Sequence, residues 1–504
     1  MRLLACVIVI CASSVQAFQT AAPDLAAQAQ KELYAARNDY AAILYQKLID
    51  EEPTRGEAYY GLVRALLRAH KSHEAYTAAA LGLEKAPQTA GAQVAAGMAA
   101  FRRGELSQAE QYYRAAYKID PKNPGALVGM ASLFSMVSKF KAARELTLQA
   151  YAYSPDDPTL MMAKANSLKG AEHIAALEKV LAIYDPESDE ARSVRAHLAT
   201  DRAVGDRKLS RLTSPYESST VKLFRLMDGP RRVRGIGVRV RFNDRETARL
   251  LLDTGASGIS LSPKLAEKAG FEVLGHESAE TKGIGDARSQ DTSRYLASKI
   301  EIGDVTFADY QVSVFRSAQS PDYDGLIGAD VFQRFIVGID FVDMELTLEP
   351  RPKAPPVQND EIEDADNDPA PGFIRAMRFG THLTMFTSVN QRLNKLFLID
   401  SGSSSNLIDE SVAREAAPIH SDDRIGVRGV QGAVAKASVA EHVALAFAGF
   451  RHDNPDLIAI NLDKLSDSAG MGVAGILGMP VLGHFKLTID YRNGTVKFDF
   501  KKSL

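Results

Sequence analysis

Two hydrophobic rhythms divide the chain. In the first part, apolar positions come in helix-length blocks that close on a proline. Pro53, Pro87, Pro121 and Pro155 are 34 residues apart, and Pro186 follows after 31. Ala41, Ala75, Ala109 and Ala143 keep the same 34-residue period, each twelve residues before a proline. Tightly crossed helices need a small side chain at a fixed phase, so these blocks predict an array of helix pairs. After Asp201 the period drops to two. Val221 to Leu226 alternates, and so does Gly237 to Phe242. Asn243-Asp244-Arg245 then turns the chain, and Leu250-Leu251-Leu252 runs into Asp253. That order reads as strand, hairpin, strand.

The second rhythm occurs twice. Thr384 to Val389 reads as a strand, Asn390-Gln391-Arg392 as a turn, and Phe397-Leu398-Ile399 runs into Asp400. Asn243 and Asn390 are 147 residues apart, as are Asp253 and Asp400. Gly283-Ile284-Gly285 has a counterpart in Gly429-Val430-Gln431-Gly432. Leu326-Ile327-Gly328 matches Ile476-Leu477-Gly478 at a distance of 150, and the run from Phe335 to Phe341 matches Phe485 to Tyr491 at the same distance. Matched landmarks in one order predict a duplicated, two-lobed β unit with pseudo-twofold packing. Asp340 and Asp490 fall in the paired last strands and read as structural. Between the halves, Pro350 to Gly372 is proline-rich and acidic, which predicts a solvated, mobile connector.

Composition narrows the chemistry. A formal charge of −3 gives no global reason to expect nucleic acid or an anionic membrane as partner. Arg2, the apolar run Leu3 to Ala12 and Val15-Gln16-Ala17 read as a cleaved export signal, so the mature protein is expected in the periplasm or outside the cell. Both cysteines, Cys6 and Cys11, lie in that leader. Its removal would leave no thiol for a disulfide, a metal site or a nucleophile. No later run is long enough to span a membrane. Gly470-Met471-Gly472-Val473-Ala474-Gly475 imitates a dinucleotide fingerprint but lacks the strand before it and the helix after it, so it reads as a loop. No metal or cofactor is expected. His70 and His73 read as exposed, and Tyr112, Tyr113, Tyr117, Tyr151 and Tyr153 as core.

The 34-residue period, with Pro121, Ala109 and Gly97 in the clearest unit, resembles the tetratricopeptide (TPR) repeat. Val63 and Ala131 occupy the glycine position of neighbouring units. The resemblance implies an all-α solenoid that binds a protein or peptide partner. The second rhythm resembles the aspartic proteases. Asp253-Thr254-Gly255-Ala256 is similar to the retroviral-type acid loop, and Asp400-Ser401-Gly402-Ser403 to the second loop of pepsin-like members. The family resemblance implies a bilobal all-β fold with Asp253 and Asp400 as the catalytic pair. It further implies Thr254 and Ser401 bonding to the opposite lobe, with Gly283, Ile284, Gly285, Gly429 and Val430 as substrate-covering flaps. In the family a hydroxyl just after the glycine can bond the carboxylate and lower its pKa. That position is Ala256 in one loop and Ser403 in the other, which implies a dyad less acidic than one with two hydroxyls.

The expected layout is a signal at 1–17, TPR helices at 22–200, a first lobe at 216–350, a linker at 351–371 and a second lobe at 372–504. The expected activity is an aspartic endopeptidase acting on a peptide or protein substrate. The alternative is an inactive protease fold serving as a TPR-linked binding module.

Overall fold

In a computed structural model, the described residues are 24–228, 232–280, 291–315, 322–352, 364–365, 368–422, 426–429, 432–434 and 436–502. The proposed leader lies outside them. Helices fill the chain from Leu25 to Val204, and strands dominate from Arg211 onward.

The helical array is built on the small residues that the period marked. Ala41, Ala75, Ala109 and Ala143 are all buried. Tyrosines fill the space opposite missing side chains. A Cβ at Gly61 would come within 2.2 Å of Tyr45, and one at Gly97 or Gly129 within 2.5 or 2.3 Å of Tyr113. The close approaches in the neighbouring units thus fall at Gly61 and Gly129, two residues before the positions inferred from Gly97. Tyr113 is core as expected, but Tyr117 and Tyr153 are 41% and 49% exposed. Tyr117 lies in the last turn of the helix Leu106–Ile119, and Tyr153 is the last residue of the helix Phe140–Tyr153.

The array also curls until its early and late helices touch. The Arg64 guanidinium makes two bonds to Asp157, at 2.5 and 2.8 Å, and Arg68 bonds Thr159 beside it. Arg37 bonds Asp185, whose amide donates to the Ala35 carbonyl at 2.8 Å.

Each β lobe has the same kernel. In the first, the strand Glu246–Asp253 lies antiparallel to Arg232–Phe242 and parallel to Gly325–Gly328, with Asp253 opposite Gly328. In the second, Leu393–Ile399 lies antiparallel to His382–Val389 and parallel to Gly475–Leu477. The tight turns carry positive φ at Asn243 and Asp244 (50° and 57°) and at Asn390 and Gln391 (50° and 56°), the left-handed backbone that primed-type hairpin turns need. The stretch Val221 to Leu226 is not one strand. It divides at the buried Leu223 into Ser219–Lys222 and Phe224–Asp228, which join different sheets.

A six-stranded sheet joins the lobes, in the order Ile374–Arg375, Thr495–Phe500, Phe485–Asp490, Phe335–Asp340, Glu345–Pro350, Ser219–Lys222. Its two central strands come one from each lobe and pair antiparallel, from Ile336 opposite Asp490 to Asp340 opposite Lys486. Asp340 and Asp490 each accept backbone N–H bonds from the turn that follows. One hydrophobic core runs through both lobes.

The array touches both lobes, and its first junction is with the second lobe. The Arg102 side chain pairs with Asp467 and donates to the Ser466 carbonyl, and His70 bonds Asp467 at 3.0 Å. Gly472 lies against the Arg102–Arg103 backbone, where a Cβ would come within 2.9 Å. Met136, Leu396 and Met471 form an apolar patch at the same junction. The glycine-rich run at 470–475 is therefore a packing loop. The connector is not wholly solvated. Asp364 accepts the amides of Lys141 and Ala142, capping the helix Phe140–Tyr153, and Ala365 is buried. The pull of a helix N-terminus on a carboxylate accounts for that anchoring. A second junction joins the last helix to the first lobe. Arg207 makes a two-point ion pair with Glu272, and Gly275 approaches Ala199.

Candidate active site

Asp253 ends the strand Glu246–Asp253 and Asp400 follows the strand Leu393–Ile399, each after a run of buried residues, and the two carboxyl groups interact across the lobe boundary. The neighbouring glycines enforce the approach. A methyl group at Gly255 would sit 2.7 Å from the Asp400 carboxyl carbon, and one at Gly402 would sit 2.4 Å from that of Asp253. Each glycine amide also donates to its own acid, at 2.8 Å in both lobes.

The residue after each acid crosses to the other lobe. The Thr254 amide donates to the Ser401 hydroxyl at 3.0 Å, and the Ser401 amide donates to the Thr254 hydroxyl at 2.9 Å. The Thr254 hydroxyl donates to the Ile399 carbonyl, and the Ser401 hydroxyl to that of Leu252, both at 2.8 Å. All four bonds are buried, so no polar atom of the crossing is left without a partner.

The two halves are not equivalent electrostatically. Burial pushes both carboxyls above their ordinary range. Asp253 rises well above it, because after burial the charge of Asp400 opposes its ionisation, and a single amide supports it. Asp400 accepts two amides, from Gly402 at 2.8 Å and from Ser403 at 3.2 Å. The Ser403 hydroxyl is turned away and donates to the Ser405 carbonyl at 2.7 Å. The expected hydroxyl support of the second acid is thus replaced by a backbone amide. Ala256 gives its own amide to the Asp253 backbone carbonyl.

Of the expected flap residues, Gly283, Ile284, Gly285 and Val430 lie outside the described residues. The paired strands Glu272–Glu280 and Asp291–Ile302 lead towards the first group. Gly429 pairs with Gly432 in a short hairpin.

Two side chains at the site carried no sequence label. Asp330 is buried and accepts the Gly258 amide with both oxygens, at 2.9 and 3.1 Å, which ties down the end of the first acid loop. Burial raises its pKa. Its position two residues after the matched Leu326-Ile327-Gly328 was the available signal. The second lobe has Pro480 there and uses Asn406 instead, which accepts the Gly478 amide. His382 stacks on Phe379 at 4.8 Å and stands within electrostatic reach of Asp253 and Asp330, where it acts to lower both carboxyl pKa values. Among the described residues, no cluster of His, Cys, Asp and Glu is arranged to hold a metal, and no helix is long and apolar enough to cross a membrane.

Comparison with known proteins agrees with this geometry. The aspartyl protease family model matches twice, over residues 238–331 and 387–481, one match per lobe. Within the chain, 131 residues are 30% identical to a TPR repeat-containing protein of Pseudomonas aeruginosa, covering 26% of this chain and 22% of that one. The match spans about a fifth of that relative's length. A solved structure, the APC/C hetero-tetramer Cut9–Hcn1, aligns over 35% of this chain and 41% of its own, with 15% identity. Its TM-score of 0.28 is too low for that likeness to bear on the argument.

Proposed function

From a C-terminal half that carries the aspartyl protease domain in two matched copies, behind TPR-type repeats, we propose that this chain is an aspartic endopeptidase. The observation that carries the reading is the reciprocal Thr254–Ser401 crossing, which holds two buried carboxyl groups against each other. Two such groups cannot both ionise cheaply, so they share one proton and titrate as a pair. The two amides on Asp400 bias the negative charge towards it and the proton towards Asp253. The ionised carboxylate takes a proton from a water as that water's oxygen bonds to the scissile carbonyl carbon. The protonated carboxyl donates to the carbonyl oxygen. As the tetrahedral diol collapses and the C–N bond breaks, one diol hydroxyl returns its proton to the carboxylate that donated it, and the nitrogen leaves with the proton held by the other, which restores the singly protonated pair.

We extend the reading to the rest of the chain. The segment 1–17 directs export and is removed, the lobes occupy 216–350 and 372–504, and the repeats at 22–200 present a protein partner or substrate. Profiling a peptide library with purified wild type and the Asp253→Asn and Asp400→Asn variants tests the enzyme assignment. Cleavage by wild type and by neither variant is expected. A folded wild type that neither cuts the library nor binds a statine-type inhibitor would overturn it.

A further inference from the structure

The two lobes differ in charge along one face of the kernel. On the first lobe, Leu226, Leu251, Tyr323 and Leu326 form a small buried apolar cluster, with Phe224 packed against it. Leu251 is two residues before Asp253, and Leu326 pairs beside it in the parallel ladder. A Cβ at Gly235, on the adjoining strand, would lie 3.6 Å from the Ser401 carbonyl of the other lobe's acid loop. The cluster therefore borders the candidate active site.

Arginines cap this cluster. The strand pairing shifts between Leu226 and Met227, with Leu226 opposite Gly235 and Met227 opposite Val233, so Arg234 is an extra residue in the ladder. Such a bulge re-aims a side chain, and here the Arg234 guanidinium lies 5.4 Å from the centre of the Tyr323 ring. Burial pushes the Tyr323 hydroxyl up, Arg234 opposes that shift and Asp253 reinforces it, so the ring stands within electrostatic reach of both. Further out on the same face, Arg239 lies 4.9 Å from the Phe224 ring centre and directly opposite Arg249 across the ladder. Like charges in that register are destabilising. Among the described residues neither Arg234 nor Arg239 has a carboxylate partner, and Arg249 reaches Asp324 only at 4.0 Å.

The second lobe has no charged residue at the matched positions. The residues 147 positions later are Thr381, Phe386 and Leu396. Thr381 bonds Ser257 of the first acid loop, and Leu396 is buried beneath Met136 of the helical array. At these three matched positions a peptide lying across the site would meet arginines on the first lobe and uncharged side chains on the second.

We propose that Arg234 is a specificity-determining residue that selects an acidic side chain in the part of the peptide lying on the first lobe, with Arg239 and Arg249 extending that preference outward. The inference rests on the endopeptidase reading. An acidic side chain supplies the missing counter-charge and relieves the arginine–arginine repulsion, which also fixes the direction in which the chain lies across the dyad.

The test walks a single Glu, with Gln as control, through every position on both sides of a cleaved bond. Wild type is expected to favour Glu at one or more positions by about tenfold in kcat/KM, the scale of a charge-assisted hydrogen bond. Arg234→Gln removes that preference, Arg234→Lys keeps part of it, and Arg234→Glu reverses it towards Lys. If wild type cuts without any acidic preference, or if the preference survives Arg234→Gln intact, the selection is overturned while the endopeptidase reading stands. If wild type cuts nothing, uncleavable statine-containing versions of the Glu and Gln peptides decide. Tighter binding of the Glu version by wild type, lost in Arg234→Gln, upholds the selection and sinks the hydrolysis. Equal or absent binding overturns the selection.

Discussion

Thr254 and Ser401 exchange hydrogen bonds across the lobe boundary, each hydroxyl accepting the other's amide and donating to the carbonyl just before the other's acid. Thr254→Val keeps the shape and removes the hydroxyl, leaving the Ser401 amide and the Ile399 carbonyl buried without a partner. Each such group costs about 1–3 kcal/mol. The expected outcome is a lower denaturant midpoint and a fall in kcat, with Thr254→Ser close to wild type. A Thr254→Val protein as stable and active as wild type would show that the crossing does not set the geometry of the pair.

In the proposed mechanism the shared proton links activity to stability. Both carboxyls have folded-state pKa values raised above the unfolded carboxylate value, Asp253 the more strongly. Between those values the folded state binds more protons than the unfolded state, so this pair's contribution to stability falls as pH rises through the window. Asp253→Asn removes the burden. It is expected to melt higher than wild type at neutral pH, with the gain shrinking as pH falls towards the ordinary carboxylate range, and to have no turnover. A melting difference that does not change with pH contradicts the assignment of the raised pKa to this site.

Ala256→Ser separates two accounts of the pair's asymmetry. The Ser403 hydroxyl bonds a backbone carbonyl and not the acid, so a hydroxyl at 256 is expected to leave the pH–rate profile where it was. An acidic limb displaced to lower pH in this variant would mean that the new hydroxyl reaches Asp253.

The junction of the array with the second lobe hangs on few polar contacts. Arg102 is largely buried against Asp467 and the Ser466 carbonyl. Arg102→Ala leaves Asp467 without its guanidinium, and breaking a buried pair costs about 3–5 kcal/mol. Differential scanning calorimetry is expected to show one unfolding transition in wild type and two separated ones in the variant. Coincident transitions in Arg102→Ala would show that the apolar contacts of Met136, Leu396 and Met471, together with the first-lobe junction at Arg207 and Glu272, suffice.

The sequence carried the two architectures because both are periodic. A 34-residue spacing and a duplicated landmark set survive local noise, and the acids that end the paired strands stand side by side in space. Features set by where side chains turn were not legible. Ser403 could be expected to serve Asp400 with its hydroxyl, yet its amide does so. Tyr117 and Tyr153 resemble core residues in composition, but both fall in the last turn of a helix and are exposed. The anchoring of Asp364 at a helix start needed the array and the connector to be side by side, a contact between residues 223 apart. His382 carries no motif and became relevant only because its strand begins beside the acid loops.

The central ladder that pairs Phe335–Asp340 with Phe485–Asp490 makes the covalent connection between the halves redundant for assembly. A polypeptide cut between 353 and 363 would remain one particle, because parting the lobes requires stripping five residue pairs of backbone ladder and opening a common core. Maturation by nicking, co-expression of the halves as separate chains, and a heterodimer with one altered acid loop are all compatible with this topology. The β unit is in this respect a tethered dimer whose tether can be spared.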